Sequence, residues 1–341
     1  MPRHNFAPLR GRVATLEIAS AAAADNQLGD PGTRQCPVYL PPSYDEGQQR
    51  YPLLVALAAY TGSGLKLANW NSFDETLPQR VDRLIADEGM PPCVVAMPDC
   101  FTSLGGNQYL NSPVLGRWED FIYEDLLVTL ESRLRLLEGP RHRGLFGHSS
   151  GGYGALVHAM RYGERWGGIA CHSGDMGFDM VYRPDLPKAV NALAAFDGSH
   201  EAFLEALAES PKIRGDQFYA MMILAMAASY DYRPDEPMGI KLPVDLHTCA
   251  LDPAAWQRWL AHDPLVMIEE PLHQERLRKL RAIFIDCGSR DEYQLHFGAR
   301  RLHLALNAAK IEHRYEEFPD GHSKVAYRLD RSLPHLVKAL S

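Results

Sequence analysis

Gly147-His148-Ser149-Ser150-Gly151 places a serine between two glycines in the spacing G-x-S-x-G. A serine hydroxyl is a weak nucleophile at neutral pH until a base takes its proton. The base in turn needs a carboxylate to orient it and steady its charge. The glycines suit that use, because the pattern belongs to a sharp strand-to-helix corner that leaves no room for a side chain on either side of the serine. The pattern is short enough to arise by chance, so its context matters. An apolar strand at 143–146 precedes it, and Tyr153, Leu156, Val157 and Met160 follow at helical spacing before Gly163. A glycine-rich turn around an inert serine is the plainer alternative. Ser149 holds the central place. The Ser150 N–H then opens the following helix, where the helix dipole and an unpaired N–H suit an oxyanion.

On such a corner the chain order is serine, acid, histidine. His322 lies in Pro319-Asp320-Gly321-His322-Ser323, directly after the last expected strand. His296, His303 and His313 fall inside expected elements, and His148 reads as a packing residue of the corner. For the acid, Asp291 sits in Cys287-Gly288-Ser289-Arg290-Asp291, a turn-rich stretch following a strand at 282–286. Asp286, expected as the last residue of that strand, and Glu292 are the alternatives. A second oxyanion donor is expected from the loop Tyr60-Thr61-Gly62-Ser63-Gly64, with the Tyr60 N–H as the candidate. Asn107, Gln108 and Trp118 are candidates for a substrate-binding rim, with packing and capping as equal alternatives.

The elements that must carry these residues are legible as alternating strands and helices. Strands are expected at 13–19, 37–40, 51–59 and 92–97, the last two as continuous apolar runs of the fully buried kind. A turn separates the first two at 25–33, and a helix is expected over 71–88. From Trp118 the apolar residues Ile122, Leu126, Leu130, Leu134 and Leu137 mark one face of a helix stopped by Gly139-Pro140. Further strands are expected at 143–146, 168–172, 282–286 and 312–318, with helices at 295–306 and at the end of the chain. This rhythm implies a mostly parallel sheet covered by helices on both faces. The segment 175–275 shows no clear strand. It reads as a helical insertion or cap whose Phe218, Met221, Met222, Met226, Trp256 and Trp259 line a groove or form a small core of their own. The expected fold class is α/β, an α/β-hydrolase fold in one domain, 1–341, with the insertion ahead of the acid-bearing strand.

Composition excludes several other classes. With 46% hydrophobic and 23% charged residues the chain is ordinary for a globular protein. Its 43 acidic against 35 basic residues, a net charge of −8, argue against nucleic acid as a partner. There is no G-x-G-x-x-G, P-loop or H-E-x-x-H, so neither nucleotide nor metal is expected, and no cofactor. Cys36, Cys93, Cys100, Cys171, Cys249 and Cys287 are scattered, which reads as buried thiols in a reducing compartment. The first residues carry Arg3, His4, Arg10 and Arg12 without a following signal-type apolar run, and no stretch is long and apolar enough for a membrane span. A cytoplasmic location is expected.

Several stretches together resemble a known family: VYLPPSYD, YPLLVALAAYTGSG, AMPDC, GGNQYLNS, WEDFIYEDLL, GLFGHSSGGYGAL, DCGSRDEY and DGHS. They are similar to the putative-esterase family of α/β hydrolases, a group that includes S-formylglutathione hydrolases, feruloyl esterases, enterochelin esterases and the antigen 85 mycolyltransferases. The resemblance covers most of the chain outside 175–275. It implies a triad of Ser149, Asp291 and His322 that hydrolyses a small-molecule ester or thioester without a cofactor. An acyltransferase using the same triad, or a peptidase or thioesterase of the same fold, is the alternative. The chain departs from many relatives in reading Ala58-Ala59-Tyr60-Thr61 where they carry a His-Gly pair, and its insertion is longer than in the smallest members.

Overall fold

A computed structural model describes residues 4–341; Met1 to Arg3, the start of the basic stretch noted above, lie outside the described residues. The apolar runs form one sheet. Its strands are β1 (Arg12–Ala19), β2 (Thr33–Leu40), β3 (Leu53–Leu57), β4 (Val94–Ala96), β5 (Arg143–His148), β6 (Gly168–His172), β7 (Ala282–Gly288) and β8 (Arg314–Phe318). They lie side by side in the order β1-β2-β4-β3-β5-β6-β7-β8. Only β2 runs against its neighbours, pairing antiparallel with β1 and β4, and every later pairing is parallel. This is the α/β-hydrolase arrangement that the strand–helix rhythm predicts.

Both faces of the sheet are buried, and the two-residue period of a strand divides its side chains between them. Val55, Leu57, Leu145, Ile169 and Ile283 join one core. Leu54, Ala56, Phe146, Ala170 and Phe284 join the other. Helix α1 (Leu77–Glu88) covers the second face together with the C-terminal helix. Helix α2 spans Trp118–Asp120, a π-helical turn at Phe121–Leu126, and Leu127–Arg133; with α3 (Ser150–Tyr162) it covers the first.

Three boundaries differ from the sequence reading, each for a physical reason. Helix α1 starts at Leu77 rather than at 71, because Thr76 accepts a hydrogen bond from the Gln79 N–H while the Gln79 side chain takes the Thr76 N–H. That reciprocal cap, with Pro78 in the first turn, fixes the start. Helix α2 ends at Arg133 instead of reaching Leu137, because the next residues serve the sheet: Tyr51 N–H donates to the Arg135 carbonyl and Leu137 N–H to the Tyr51 carbonyl. Strand β7 runs on to Gly288, so Asp286 lies inside the strand and not at its end.

Between β6 and β7 the chain is helical, as expected. Its longer helices are α4 (Leu186–Ala194), His200–Glu209, α5 (Gly215–Tyr230) and Pro253–Leu260. Along most of its length α5 is buried on all sides, the pattern of a helix inside a core. After β7 come α6 (Leu295–Ala308) and α7 (Leu329–Leu340). Among the described residues no helix is long and apolar enough to cross a membrane. The six cysteines are unpaired, and all but Cys249 are buried.

Candidate active site

In a parallel sheet the loops leaving the carboxyl ends of the strands gather along one edge, and ligands bind there. The loops after β3, β5, β6, β7 and β8 enclose a cleft of about 260 Å³ on that edge. Tyr60 comes from the first of these loops, Ser149 and Ser150 from the second, Asp175 from the third, Tyr293 from the fourth and His322 from the last.

Ser149 stands at the corner between β5 and α3 with φ 58° and ψ −126°, a conformation costly for a residue with a side chain. Its N–H donates to the His172 carbonyl and its own carbonyl accepts from Tyr153 N–H, so both neighbours hold the corner. The flanking glycines are obligatory. A Cβ on Gly151 would lie 2.0 Å from the Leu57 carbonyl oxygen, and one on Gly147 would lie 2.4 Å from the Gly151 carbonyl carbon. Strand and helix therefore approach more closely than any side chain permits.

His322 reaches the cleft from the loop after β8. Its Nδ1 lies 2.7 Å from Asp291 Oδ2, a buried contact, and among the described residues Nε2 has no protein partner. Burial works to raise the Asp291 carboxyl. The hydrogen bond and charge of His322, with the N–H groups of Tyr293 and Leu295, outweigh it and hold the group below the ordinary carboxylate range. Glu292 grips the main chain instead, accepting the His322 N–H at 2.7 Å. Tyr293 packs edge-on against the imidazole with ring centroids 4.8 Å apart.

Asp286, the alternative acid, is committed elsewhere. Its Oδ1 lies 2.6 Å from His172 Nδ1 and its Oδ2 accepts from Arg328 Nε at 2.8 Å. His296 is buried against Phe297, and His303 and His313 bond to each other, so none of the three approaches Ser149. His148 packs at the corner, with its ring centroid 4.5 Å from that of His322. Burial, then the charges of His322 and His172, lower its pKa to about 3, so it stays neutral beside His322.

Tyr60 and Ser150 both line the cleft next to Ser149. Among the described residues neither main-chain N–H has a protein acceptor, since Ser150 is the first residue of α3 and Tyr60 follows the end of β3. The Tyr60 side chain is anchored by its hydroxyl, which donates to the Leu104 carbonyl at 2.5 Å. The Tyr60 carbonyl accepts from Gly106 N–H at 2.6 Å.

The three expected rim residues do not line the cleft. Trp118 is fully buried and donates to the Leu115 carbonyl at 2.8 Å. Asn107 staples its own loop, donating to the Cys100 carbonyl and accepting from Tyr109 N–H. Gln108 lies behind the wall, donating to Ser150 Oγ at 3.0 Å. All three carry aromatic or amide groups that packing uses as readily as ligands do. The insertion does reach the cleft. Phe218, Met222 and Met226, one α5 stripe at helical spacing, line it, whereas Met221, Trp256 and Trp259 belong to the core. Asp175 and Tyr182 complete that wall. The sequence reading passed over Asp175 as the mere start of the insertion, although its place just beyond β6 was a usable signal.

The same architecture recurs among solved structures. A ferulic acid esterase superposes with a TM-score of 0.62 at 18% identity, covering 98% of this chain and all of that one. An S-formylglutathione hydrolase from Agrobacterium tumefaciens gives 0.57 at 14% identity, covering 99% and 98%. The fluorophosphonate-binding serine hydrolase FphF from Staphylococcus aureus gives 0.56 at 14%, covering 97% and 99%. At these identities the likeness is one of fold. No curated protein matches the chain significantly. The family model described as "Putative esterase" matches residues 31–335, nearly the whole chain, and the protein belongs to that family of α/β hydrolases.

Proposed function

We propose that this esterase-family protein hydrolyses carboxylic esters by two-step acyl transfer, with Ser149 as nucleophile, His322 as base and Asp291 as its orienting acid. The observation that carries the reading is the 2.7 Å contact between His322 Nδ1 and Asp291 Oδ2 at the wall of the cleft that Ser149 also lines. With Nδ1 held by Asp291, Nε2 remains to take the Ser149 proton as Oγ attacks the ester carbonyl. The N–H groups of Tyr60 and Ser150 receive the oxyanion, and each such donor is worth about 3 kcal/mol of barrier. His322 then passes the proton to the leaving alcohol. It next activates a water that releases the acid from Ser149. Asp291 keeps the imidazole in one tautomer and offsets its charge.

The chain acts as one catalytic domain, 1–341, and the helical segment 175–275 shapes the substrate wall through Phe218, Met222 and Met226. The substrate is a small ester or thioester, and no cofactor enters the reaction. Six unpaired thiols fit a reducing, cytoplasmic compartment. Rates on p-nitrophenyl esters from acetate to long acyl chains, for the wild type and Ser149→Ala, test the reading. The substitution is expected to lower kcat by at least about a thousandfold on every ester cleaved. Equal rates in the two proteins would move the nucleophile elsewhere.

A further inference from the structure

Asp175 is the one carboxylate in the wall of the cleft that the proposed mechanism does not use. It is only 6% exposed. Three side chains donate to it, and all three choose the same oxygen. Tyr182 Oη donates to Oδ2 at 2.8 Å, Gln108 Nε2 at 3.3 Å and Ser150 Oγ at 3.4 Å. Among the described residues Oδ1 receives no hydrogen bond, and it is not one of the buried atoms shut off from solvent. Because Asp175 lines the cleft, that open side is the cleft. No lysine or arginine offsets the group. Burial raises its pKa, against the opposing pull of the Tyr182 hydrogen bond and the nearby His322. Around it the wall is apolar: Val181, Phe218, Met222 and Met226.

A carboxylate held this way is costly without a donor and selective with one. Packing alone would not leave one oxygen bare while three donors crowd the other. A ligand site built on apolar walls takes its orientation from a few such polar atoms. An ester that brings a hydroxyl or ammonium to Oδ1 satisfies the group. An ester with a methyl in that place displaces water from it and leaves the acceptor bare.

We propose that Asp175 is a specificity-determining residue, whose Oδ1 accepts a hydrogen bond from a hydroxyl or ammonium group carried by the ester substrate within a few bonds of the scissile carbonyl. The inference rests on the Ser149 reading of the cleft.

The test compares esters that differ only in that group. For the acyl side these are the p-nitrophenyl esters of 3-methylbutyrate, 3-hydroxybutyrate and 3-aminobutyrate. For the alcohol side they are isobutyl acetate and 2-hydroxypropyl acetate. The readout is the ratio of kcat/KM, donor-bearing over methyl-bearing, in the wild type and in Asp175→Asn. The wild-type ratio is expected to be roughly tenfold or more in one arm. A gain confined to the hydroxy ester identifies a neutral donor, and a larger gain for the amino ester a cationic one. In Asp175→Asn the three donors hold the amide oxygen in the Oδ2 place, so the amide N–H₂ turns toward the cleft. The ratio then falls to one or below. Wild-type ratios near one in both arms overturn the proposal, as does a preference that survives Asp175→Asn. A Ser149→Ala variant, run alongside on the 3-methylbutyrate ester, separates the two ideas. Retained turnover there overturns the nucleophile assignment, whereas lost turnover with flat ratios overturns the role of Asp175 alone.

Discussion

His322 Nδ1 and Asp291 Oδ2 lie 2.7 Å apart, while Asp286, earlier on the same segment, makes an equally close contact of 2.6 Å with a different histidine, His172. The two pairs differ in what lies beyond the imidazole. Past His172 Nε2 is Ser332 Oγ at 2.8 Å, so Ser332, His172 and Asp286 form a second serine–histidine–aspartate chain. Ser332 is wholly buried on α7, with no cleft beside it. That chain fastens the C-terminal helix to the sheet. His322 and Ser149 instead face open space and unpaired N–H groups, so access separates a reactive constellation from a structural one.

The two aspartates are expected to fail differently. Asp291→Asn should keep the fold and lower kcat by about 10³–10⁴-fold through the wrong imidazole tautomer. Asp286→Asn removes the partner of the largely buried Arg328 and should cost about 3–5 kcal/mol of stability. Denaturant titration and esterase rates on both variants check the contrast. A large kcat loss in Asp286→Asn without loss of stability would reverse the assignment.

Gly151→Ala should be among the most damaging single substitutions. The new Cβ would lie 2.0 Å from the Leu57 carbonyl oxygen, and the contact is to main chain, which cannot swing aside. Either β3 and α3 separate or the corner at Ser149 relaxes. Strain of this kind costs about 1–3 kcal/mol or more. The midpoint of urea unfolding should drop, and activity should fall further than that drop explains.

Tyr60→Phe deletes the hydroxyl that donates to the Leu104 carbonyl at 2.5 Å and leaves that buried acceptor bare. A stability loss of about 1–3 kcal/mol is expected. The Tyr60 N–H loses its anchor, so kcat should fall more than KM rises. A change in KM alone would place the tyrosine in ground-state binding.

Acid should destabilise the protein before any triad chemistry is considered. Burial first, and then neighbouring positive charge, hold His148 and His262 at about 3, below the ordinary 6.5. The unfolded chain takes up these protons as the pH falls through about 6.5, and the folded chain resists until about 3. Their contribution is full above the ordinary value and drains as the pH falls between the two. Asp175 and Asp263, raised by burial, act in the opposite sense. Thermal melts from pH 7 to pH 4 should show a falling Tm, with a shallower slope in His262→Gln. A flat profile would contradict the burial of these rings.

Thiol titration offers a check that needs no substrate. Only Cys249 is partly exposed, and burial pushes the Cys36, Cys93 and Cys171 thiols up to about 12. Native protein should react with one equivalent of a disulfide reagent such as Ellman's and with six after denaturation. Fewer than six in denaturant without reductant would mean a disulfide.

How far the sequence reached depended on the range of each cause. The nucleophile corner was legible because its determinants are local: two glycines, a strand before them and a helix after. The buried strands were legible because a run such as Leu53–Leu57 has one environment whichever strands flank it. The order of serine, acid and histidine along the chain, and the insertion free of strands, followed from the same periodicities. The π-helical turn at Phe121–Leu126 left no mark on the spacing of its apolar residues and was not legible.

The remaining choices belong to the tertiary structure, because each is settled by groups far along the chain. Asp286 is excluded by Arg328, 42 residues away, and by His172, 114 residues away. Gln108 turns inward because Ser150, 42 residues on, offers it an acceptor behind the wall. Asp175 has one oxygen saturated and one bare only because Tyr182, Gln108 and Ser150 converge on the same side of it. Residue type determines which bonds a side chain can make. Folding decides which of them are already made, and a binding site consists of the polar atoms left over.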